Sequence, residues 1–329
     1  MRLVEHLLAL PQPISKQINK LETFTVIIPA YLPAEQNIIV DTIKYFLSLN
    51  LDLQIILPYN TPQYLPVEAE LKEMPILAVK VANSKSKAEN INYILDKIKT
   101  KYTAIFDADH RPIETNFAKA LWKLKTDYDI VQGSCIPLIN SPMSMLLNIE
   151  FNQIYNIHHQ AIQRLWNVAI FGGSNGYFKT EVLKELSFNH KILTEDIDLS
   201  IRALLRGKKI AFDSSIISYE QAPFNIKELW KQRTRWSQGW LQVSWKYSLK
   251  IWFYNQKKLS FRQKLGLLMF LPIREIGQFI ILQTLLLSLV ISIQTNIWNW
   301  SNYWSIIFFI NLILLITEPF WVYQVKSQK

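Results

Sequence analysis

From Phe24 onward the chain alternates short, wholly apolar runs with amphipathic stretches of helical period, and that alternation constrains its fold more than any other feature. Residues 24–29 read FTVIIP, an apolar strand ended by proline. Residues 53–57 and 76–81 are further apolar strands, and residues 104–106 form a short run that delivers Asp107. Between them, residues 34–49 and 86–99 carry apolar side chains at helical spacing. Strands without a polar face must be covered on both sides, so an α/β domain around a mostly parallel, Rossmann-like sheet is expected. Ligands of such sheets bind beyond the carboxyl ends of the strands, which is where Asp107 and Asp109 fall.

The carboxy-terminal region follows a different pattern. Residues 277–293 and 294–317 contain no charged side chain. A bilayer core takes about 20 apolar residues per helix, so two spans are expected, at 275–293 and 303–323. The stretch between them, 294–302, has two tryptophans and neither Lys nor Arg. Basic residues instead crowd into 227–264, and Lys326 and Lys329 follow the second span. By the positive-inside rule the soluble domain and the C-terminus both face the cytoplasm, at a bacterial inner or thylakoid membrane. This juxtamembrane band accounts for much of the net charge of +10 as attraction to anionic headgroups. Nucleic acid as a partner would need basic and aromatic residues spread over the soluble domain, and is not expected.

Four segments follow: residues 1–23, whose apolar run is too short to span a bilayer and reads as an amphipathic surface segment; an α/β domain at 24–223; interfacial helices at 224–274; and a transmembrane region at 275–329. The single cysteine, Cys135, excludes an intrachain disulfide and reads as a small buried hydrophobe.

Three constellations carry chemistry. In Asp107-Ala108-Asp109-His110 alternate residues of an extended segment point the same way, so two carboxylates suit one Mg²⁺ or Mn²⁺ bridged to a substrate diphosphate. His110 reads equally as a third ligand, a donor to phosphate or a packed loop histidine. Thr194-Glu195-Asp196 opens a helix: Thr194 suits the N-cap and the acids suit the positive helix end. The same carboxylates also offer a general base, with Asp196 favoured over Glu195 once burial raises its pKa. In Gln232-Arg233-Thr234-Arg235-Trp236, positions 232, 235 and 236 share one helical face, extended by Trp240. An amide, a guanidinium and an indole on one stripe fit a diphosphate and a sugar ring; they also fit an interfacial helix anchored by tryptophan. Residues 171–176, FGGSNG, hold three of the eight glycines and imply close backbone approach to a sugar or acceptor, through Gly173, Ser174 and Asn175. His158 and His159 lie in an expected helix at 143–166 and read as structural.

In this order, these motifs resemble the family-2 glycosyltransferases of the cellulose synthase and hyaluronan synthase type. The resemblance extends over about residues 24–247 and the membrane tail. It rests on Val26-Ile27-Ile28-Pro29-Ala30-Tyr31, Lys87-Ala88 with Asn92, Asp107-Ala108-Asp109, Gly173-Ser174-Asn175-Gly176, Thr194-Glu195-Asp196-Ile197-Asp198 and Gln-x-x-Arg-Trp at 232–236. It implies a GT-A fold, a UDP-sugar donor, Mg²⁺ or Mn²⁺, inversion at the anomeric carbon and Asp196 as base. It further implies that Asp107 and Asp109 serve donor and metal, with Lys87 and Gln232 on the donor side and Arg235 on the diphosphate. Trp236 would lie beside the acceptor, and Tyr31 and Glu35 would flank the nucleoside. One departure concerns the base: where relatives show an acidic pair after the second strand, this chain reads Pro58-Tyr59-Asn60.

Two spans cannot enclose the channel of a polymer-secreting relative within one monomer. That favours transfer of a hexose, glucose above all, to a lipid such as diacylglycerol. The cyanobacterial-type monoglucosyldiacylglycerol synthases are similar, including the FGGSNG stretch and Gln-Gly-Trp after the Arg-Trp pair. A polysaccharide synthase component with a glycan acceptor is the alternative within the same chemistry. A catalytically silent scaffold would have lost one of Asp107, Asp109, Asp196 or Arg235, and all four are present. Polyprenyl-phosphate sugar synthases share a similar fold but are not expected to carry the Gln-x-x-Arg-Trp helix.

Overall fold

The structure is a computed structural model that describes residues 21–253, 258–294 and 306. The expected amphipathic segment at 1–23 lies almost wholly outside the described residues, as do the stretch after residue 294 and the second expected span.

The first half is the expected alternation. Strands β1 (Phe24–Ile27) and β2 (Ala30–Tyr31) lead into helices α1 (Leu32–Glu35) and α2 (Ile39–Ser48). Then come β3 (Leu53–Asn60), α3 (Val67–Glu73), β4 (Leu77–Lys80), α4 (Lys87–Ile94) and β5 (Tyr102–Ile105). Strand β1 runs parallel to both β3 and β5, with Val26 beside Ile55 on one side and Ala104 on the other. The apolar runs divide their side chains between two cores. Phe24, Val26, Ile55, Leu57, Tyr102 and Ala104 face one, while Ile27, Ile56 and Ile105 face the other. A strand buried on both faces needs apolar residues at every position, and these runs supply them.

The second half is mixed. It runs β6 (Arg111–Pro112), α5 (Asn116–Thr126), β7 (Ile130–Pro137), α6 (Pro142–Gln153), a π-helical turn (Ile154–His159) and α7 (Gln160–Trp166). It continues with β8 (Gly176–Lys179), α8 (Thr180–Leu186), α9 (Glu195–Leu205), β9 (Ile210–Glu220) and the long α10 (Ile226–Phe253). Strand β8 is antiparallel to β5 and β7, whereas β7 and β9 are parallel. The described strands form one sheet in the order β2-β3-β1-β5-β8-β7-β9-β6, with β4 also on β3. The helix expected at 143–166 is therefore two helices joined by a π turn, a feature that often marks a functional bend.

Beyond α10 lie α11 (Phe261–Leu268), a second π turn (Met269–Ile273) and α12 (Arg274–Gln294). The first expected span falls within α12, but among the described residues no helix is long and apolar enough to cross a membrane.

Candidate active site

The register of the sheet fixes the donor side. The Phe106 amide donates to the Ile27 carbonyl at 3.0 Å, so the chain leaves β5 and emerges at Asp107 beside the end of β1. The Asp107 amide then donates to Ser174 Oγ at 3.0 Å. Ser86 caps α4, its Oγ accepting from the Glu89 amide at 3.2 Å, and sets Lys87 at the first helical position. From there the Lys87 ammonium ion-pairs with Asp107 Oδ1 and donates to the Gly173 carbonyl at 2.7 Å. Lys87 thus ties the Asp107 turn to the glycine-rich segment. Burial would lower its pKa, but Asp107, with Glu195 and Asp196 behind it, outweighs burial and raises it.

Acids crowd at this point. Burial would raise the Asp107 carboxyl; Lys87, then His110 and Arg235, outweigh it and hold Asp107 below the usual carboxylate range. Asp109 Oδ2 accepts from the Gln221 amide at 3.1 Å, just past the end of β9. The Glu35 carboxylate accepts from the Tyr31 amide at 2.7 Å. Burial pushes Glu35 up to about 7 against that bond, and the charges of Asp107 and Asp109 add to the rise. The rise at Glu35 marks a spot of crowded negative charge that gains from an added cation. An all-oxygen donor set of this kind suits Mg²⁺ or Mn²⁺. Asp107 and Asp109 offer carboxylate oxygens of the kind such a dication takes.

His110 packs beneath the Asp107–Asp109 turn. It is buried at 2 % exposure. Its Nδ1 meets Ser218 Oγ at 3.0 Å and its Nε2 meets Glu220 at 3.2 Å. Both nitrogens are engaged, so the ring buttresses the Asp107–Asp109 turn against β9, and coordinating a metal would cost it one partner. Cys135 is buried as expected, and its Sγ lies with His110 and Glu220 in a group of ligand atoms within 4.8 Å of one another. Glu220 is a participant that the sequence reading missed, because a lone acid at a strand end carries no signal by itself.

The base candidate arrives from the other side. Asp196 sits in the first turn of α9, with Oδ1 accepting from the Ile197 amide at 2.8 Å. Its Oδ2 lies against Gly173, where an added Cβ would come within 3.0 Å of it; Gly173 also adopts φ +95°, which disfavours any side chain. Burial, and next the charge of Glu195, push the Asp196 carboxyl up to about 7. A carboxyl poised near neutrality is matched to taking a proton from a hydroxyl. Thr194 holds the N-cap position without the expected side-chain bond. Its Oγ1 is buried without a partner because α10 presses on it at Gly239.

Ser174 and Asn175 correct the sequence reading. Both are buried, at 3 % and 0 % exposure. Ser174 supports Asp107, while the Asn175 amide donates to the carbonyls of Ser134 and Ile216 at 2.9 and 3.1 Å. They hold the site together from behind instead of facing an acceptor; in this segment Gly172 is the exposed residue, and Gly173 is buried against Asp196.

On α10, Arg235 is exposed, and its positive charge helps to hold the Asp107 carboxyl low. Gln232 and Trp236 are half-buried. The Trp236 indole packs against Phe151, with ring centroids 6.4 Å apart, and lies under the Arg233 guanidinium at 4.6 Å. Arg233 is held in turn by Glu150 at 2.7 Å. Much of the indole is thus taken up by protein. Tyr31 stays 48 % exposed at the end of β2. Beside it, Asn90 Nδ2 donates to Asn60 Oδ1 at 2.9 Å and to the Ala30 carbonyl at 3.3 Å. A neutral amide pair therefore stands at the end of β3.

Comparison with known proteins bears on the family and the fold. The model of a family described as glycosyl transferase family group 2 matches residues 102–322. The probable glycosyltransferase YdaM of Bacillus subtilis is 24% identical over 262 residues, 75% of this chain and 62% of that protein. A UDP-forming cellulose synthase catalytic protein of Dictyostelium discoideum is 25% identical over 198 residues, 55% of this chain and 18% of its own length. Glucomannan 4-beta-mannosyltransferase 7 of Arabidopsis thaliana is 27% identical over 144 residues, 42% of this chain and 26% of that protein. The chain thus spans less than two thirds of the curated relatives it matches. Among solved structures, the mannosyltransferase PcManGT of Pyrobaculum calidifontis, in complex with GDP-Man and Mn²⁺, superposes with a TM-score of 0.61 at 17% identity, covering 82% of this chain and 76% of that one. TarS 1-349 of S. aureus in complex with UDP-GlcNAc reaches 0.51 at 14% identity, over 72% and 68% of the two chains. These likenesses show a shared α/β fold of GT-A type.

Proposed function

Because this chain belongs to glycosyl transferase family group 2, we propose that it is an inverting hexosyltransferase that moves a sugar, glucose first among candidates, from a UDP-sugar to a membrane lipid such as diacylglycerol. The observation that carries this reading is convergence. Lys87 bridges Asp107 and the Gly173 carbonyl, Asp196 Oδ2 lies against Gly173, and the charge of Arg235 reaches Asp107.

The division of labour follows. Asp107 and Asp109 would hold the dication, whose chemistry there would be to neutralise charge on the leaving diphosphate. Lys87 and Arg235 supply fixed positive charge on the same side, and Arg offers two parallel donors to phosphate oxygens. Asp196 takes the proton of the acceptor hydroxyl as its oxygen attacks the anomeric carbon. The bond from that carbon to the diphosphate breaks with its electron pair on the diphosphate, on the face opposite the attack. Tyr31 and Glu35 lie on the nucleoside side.

The acceptor assignment is supported by α10. One stripe of it, including Gly239, Val243, Tyr247 and Ile251, is buried on the protein. On the opposite side Trp230, Leu241, Trp245 and Leu249 are exposed, Trp245 at 87 %. The helix carries Lys227, Lys231, Arg233, Arg235, Lys246 and Lys250 against one acid, Glu228. Exposed tryptophan with flanking basic residues is the composition of a helix lying in a bilayer interface with anionic headgroups. We therefore assign the site to the cytoplasmic face of a membrane.

A polysaccharide synthase component is the second reading, favoured by the similarity to cellulose synthase and glucomannan mannosyltransferases. One experiment separates the two. Membranes containing the protein are incubated with labelled UDP-glucose, UDP-galactose or GDP-mannose, and product is partitioned between organic solvent and insoluble polymer. Label from a UDP-sugar in the organic phase is expected; label confined to polymer would replace the lipid reading with the glycan one.

A further inference from the structure

Asp198 lies two residues beyond the proposed base and is completely buried. Its carboxylate accepts from Arg202 Nε at 2.7 Å, Lys246 Nζ at 2.7 Å and the Tyr247 hydroxyl at 2.8 Å. Burial would raise its pKa, but Lys246, Arg202 and Tyr247 together outweigh burial and keep it charged. A buried charge with three donors is a strong, directional fastening. Two of the donors come from α10.

The same stripe of α10 touches the base turn at two further places. Gly239 comes so close to Thr194 that an added Cβ would sit 2.4 Å from Thr194 Cγ2 and 2.8 Å from its backbone nitrogen. Gln242 Oε1 accepts from the Leu193 amide at 3.1 Å. Positions 239, 242, 243, 246 and 247 recur at three and four residues, so one helical face makes all these contacts. They bracket Glu195 and Asp196, at residues 193 and 194 on one side and 198 on the other. From behind, Arg202 donates to the Ser187 carbonyl at 2.7 Å and fastens α9 to the end of α8.

We propose that Asp198 is a positioning residue which, with Gln242, Lys246 and Tyr247 of α10, clamps the 193–198 turn so that Asp196 faces the acceptor. Being fully buried, Asp198 meets no substrate; it acts through Asp196, and the proposal rests on the base role assigned above. The helix that carries Arg235 thereby also sets the base, so one element aligns the diphosphate contact with the proton acceptor.

Gln242→Ala and Tyr247→Phe each delete one clamp bond and leave no buried charge unpaired, so their double variant tests the clamp in a folded protein, as thermal melting will show. Turnover is measured in membranes with the sugar nucleotide identified by product partition, and UDP binding is measured in the presence of Mn²⁺. We expect the double variant and Lys246→Met to lower kcat about tenfold or more, since small misplacements of a reacting group are costly. Donor KM and UDP affinity should stay within twofold of wild type, and Lys246→Arg, which keeps a donor, should restore most of kcat. A kcat within twofold of wild type in a folded double variant would overturn the clamp. So would a donor KM that worsens in step with kcat, since that marks general loosening. Asp196→Asn, measured in parallel, keeps the two ideas apart. Wild-type turnover there removes the base assignment itself, whereas an inactive Asp196→Asn beside an unaffected double variant removes the clamp alone.

Discussion

The two sides of the site are built by different means. On the donor side, Asp107 is delivered by a strand end whose register is fixed by backbone hydrogen bonds to β1, and Lys87 by the capped first turn of α4. On the acceptor side, Asp196 sits on α9, a helix joined to α10 by side chains. A sheet buried on both faces moves as a unit, whereas two helices joined by side-chain contacts can shift relative to each other. Donor binding should therefore tolerate changes in the contacts between α9 and α10 that turnover does not.

The largest effect that tests this contrast is expected at Asp196. Asp196→Asn should lower kcat by about 10²–10⁴-fold, the range for a lost general base, while UDP binding with Mn²⁺ persists in titration calorimetry. Lost UDP binding with normal turnover at saturation would reverse the assignment. Next comes Asp107→Asn, which should weaken Mn²⁺-dependent UDP binding about tenfold or more, because a charged partner of Lys87 and of the dication is removed. Binding that is equally tight and still metal-dependent would move the metal elsewhere. Gly173→Ala should cost about tenfold in kcat with a smaller change in UDP affinity, since the new methyl meets Asp196 Oδ2 at 3.0 Å and φ +95° is strained for alanine. The smallest effect is expected at Trp236→Ala. With Phe151 and Arg233 against the indole, acceptor KM should rise a few-fold, about 1 kcal/mol of stacking, with donor KM unchanged. Equal loss of both would make the indole a packing residue alone.

The donor half was legible in the sequence for a physical reason. Strands covered on both faces need apolar residues at consecutive positions, so residues 24–29 and 104–106 announced a parallel sheet and the place where Asp107 leaves it. Cys135 was equally legible as a buried hydrophobe. The acceptor half was read less well because its key contacts are long-range and polar. Asp198 looks like one more acid at a helix N-terminus, and nothing local shows that Lys246 and Tyr247 meet it. Ser174 and Asn175, in a glycine-rich stretch, suggested a surface for ligand; the structure turns them inward to hold Asp107, Ser134 and Ile216. His110 read equally as ligand, donor or packed ring, and its neighbours Ser218 and Glu220 lie more than a hundred residues away. The π turn at Ile154–His159 leaves the apolar spacing of residues 143–166 intact and is invisible to periodicity.

Two carboxyl groups are held up to about 7, Asp196 and Glu35, and only one of them is assigned the proton of the acceptor. Asp196 must be ionised to accept it, so kcat/KM should rise with pH through an apparent pKa near 7 and level off above it. The decisive measurement is the pH profile of kcat/KM in wild type and Glu35→Gln at saturating Mn²⁺. An acidic limb that stays near pH 7 in both proteins is the expected result. A limb that vanishes or drops into the ordinary carboxylate range in Glu35→Gln would assign the proton to Glu35 and contradict Asp196 as the base.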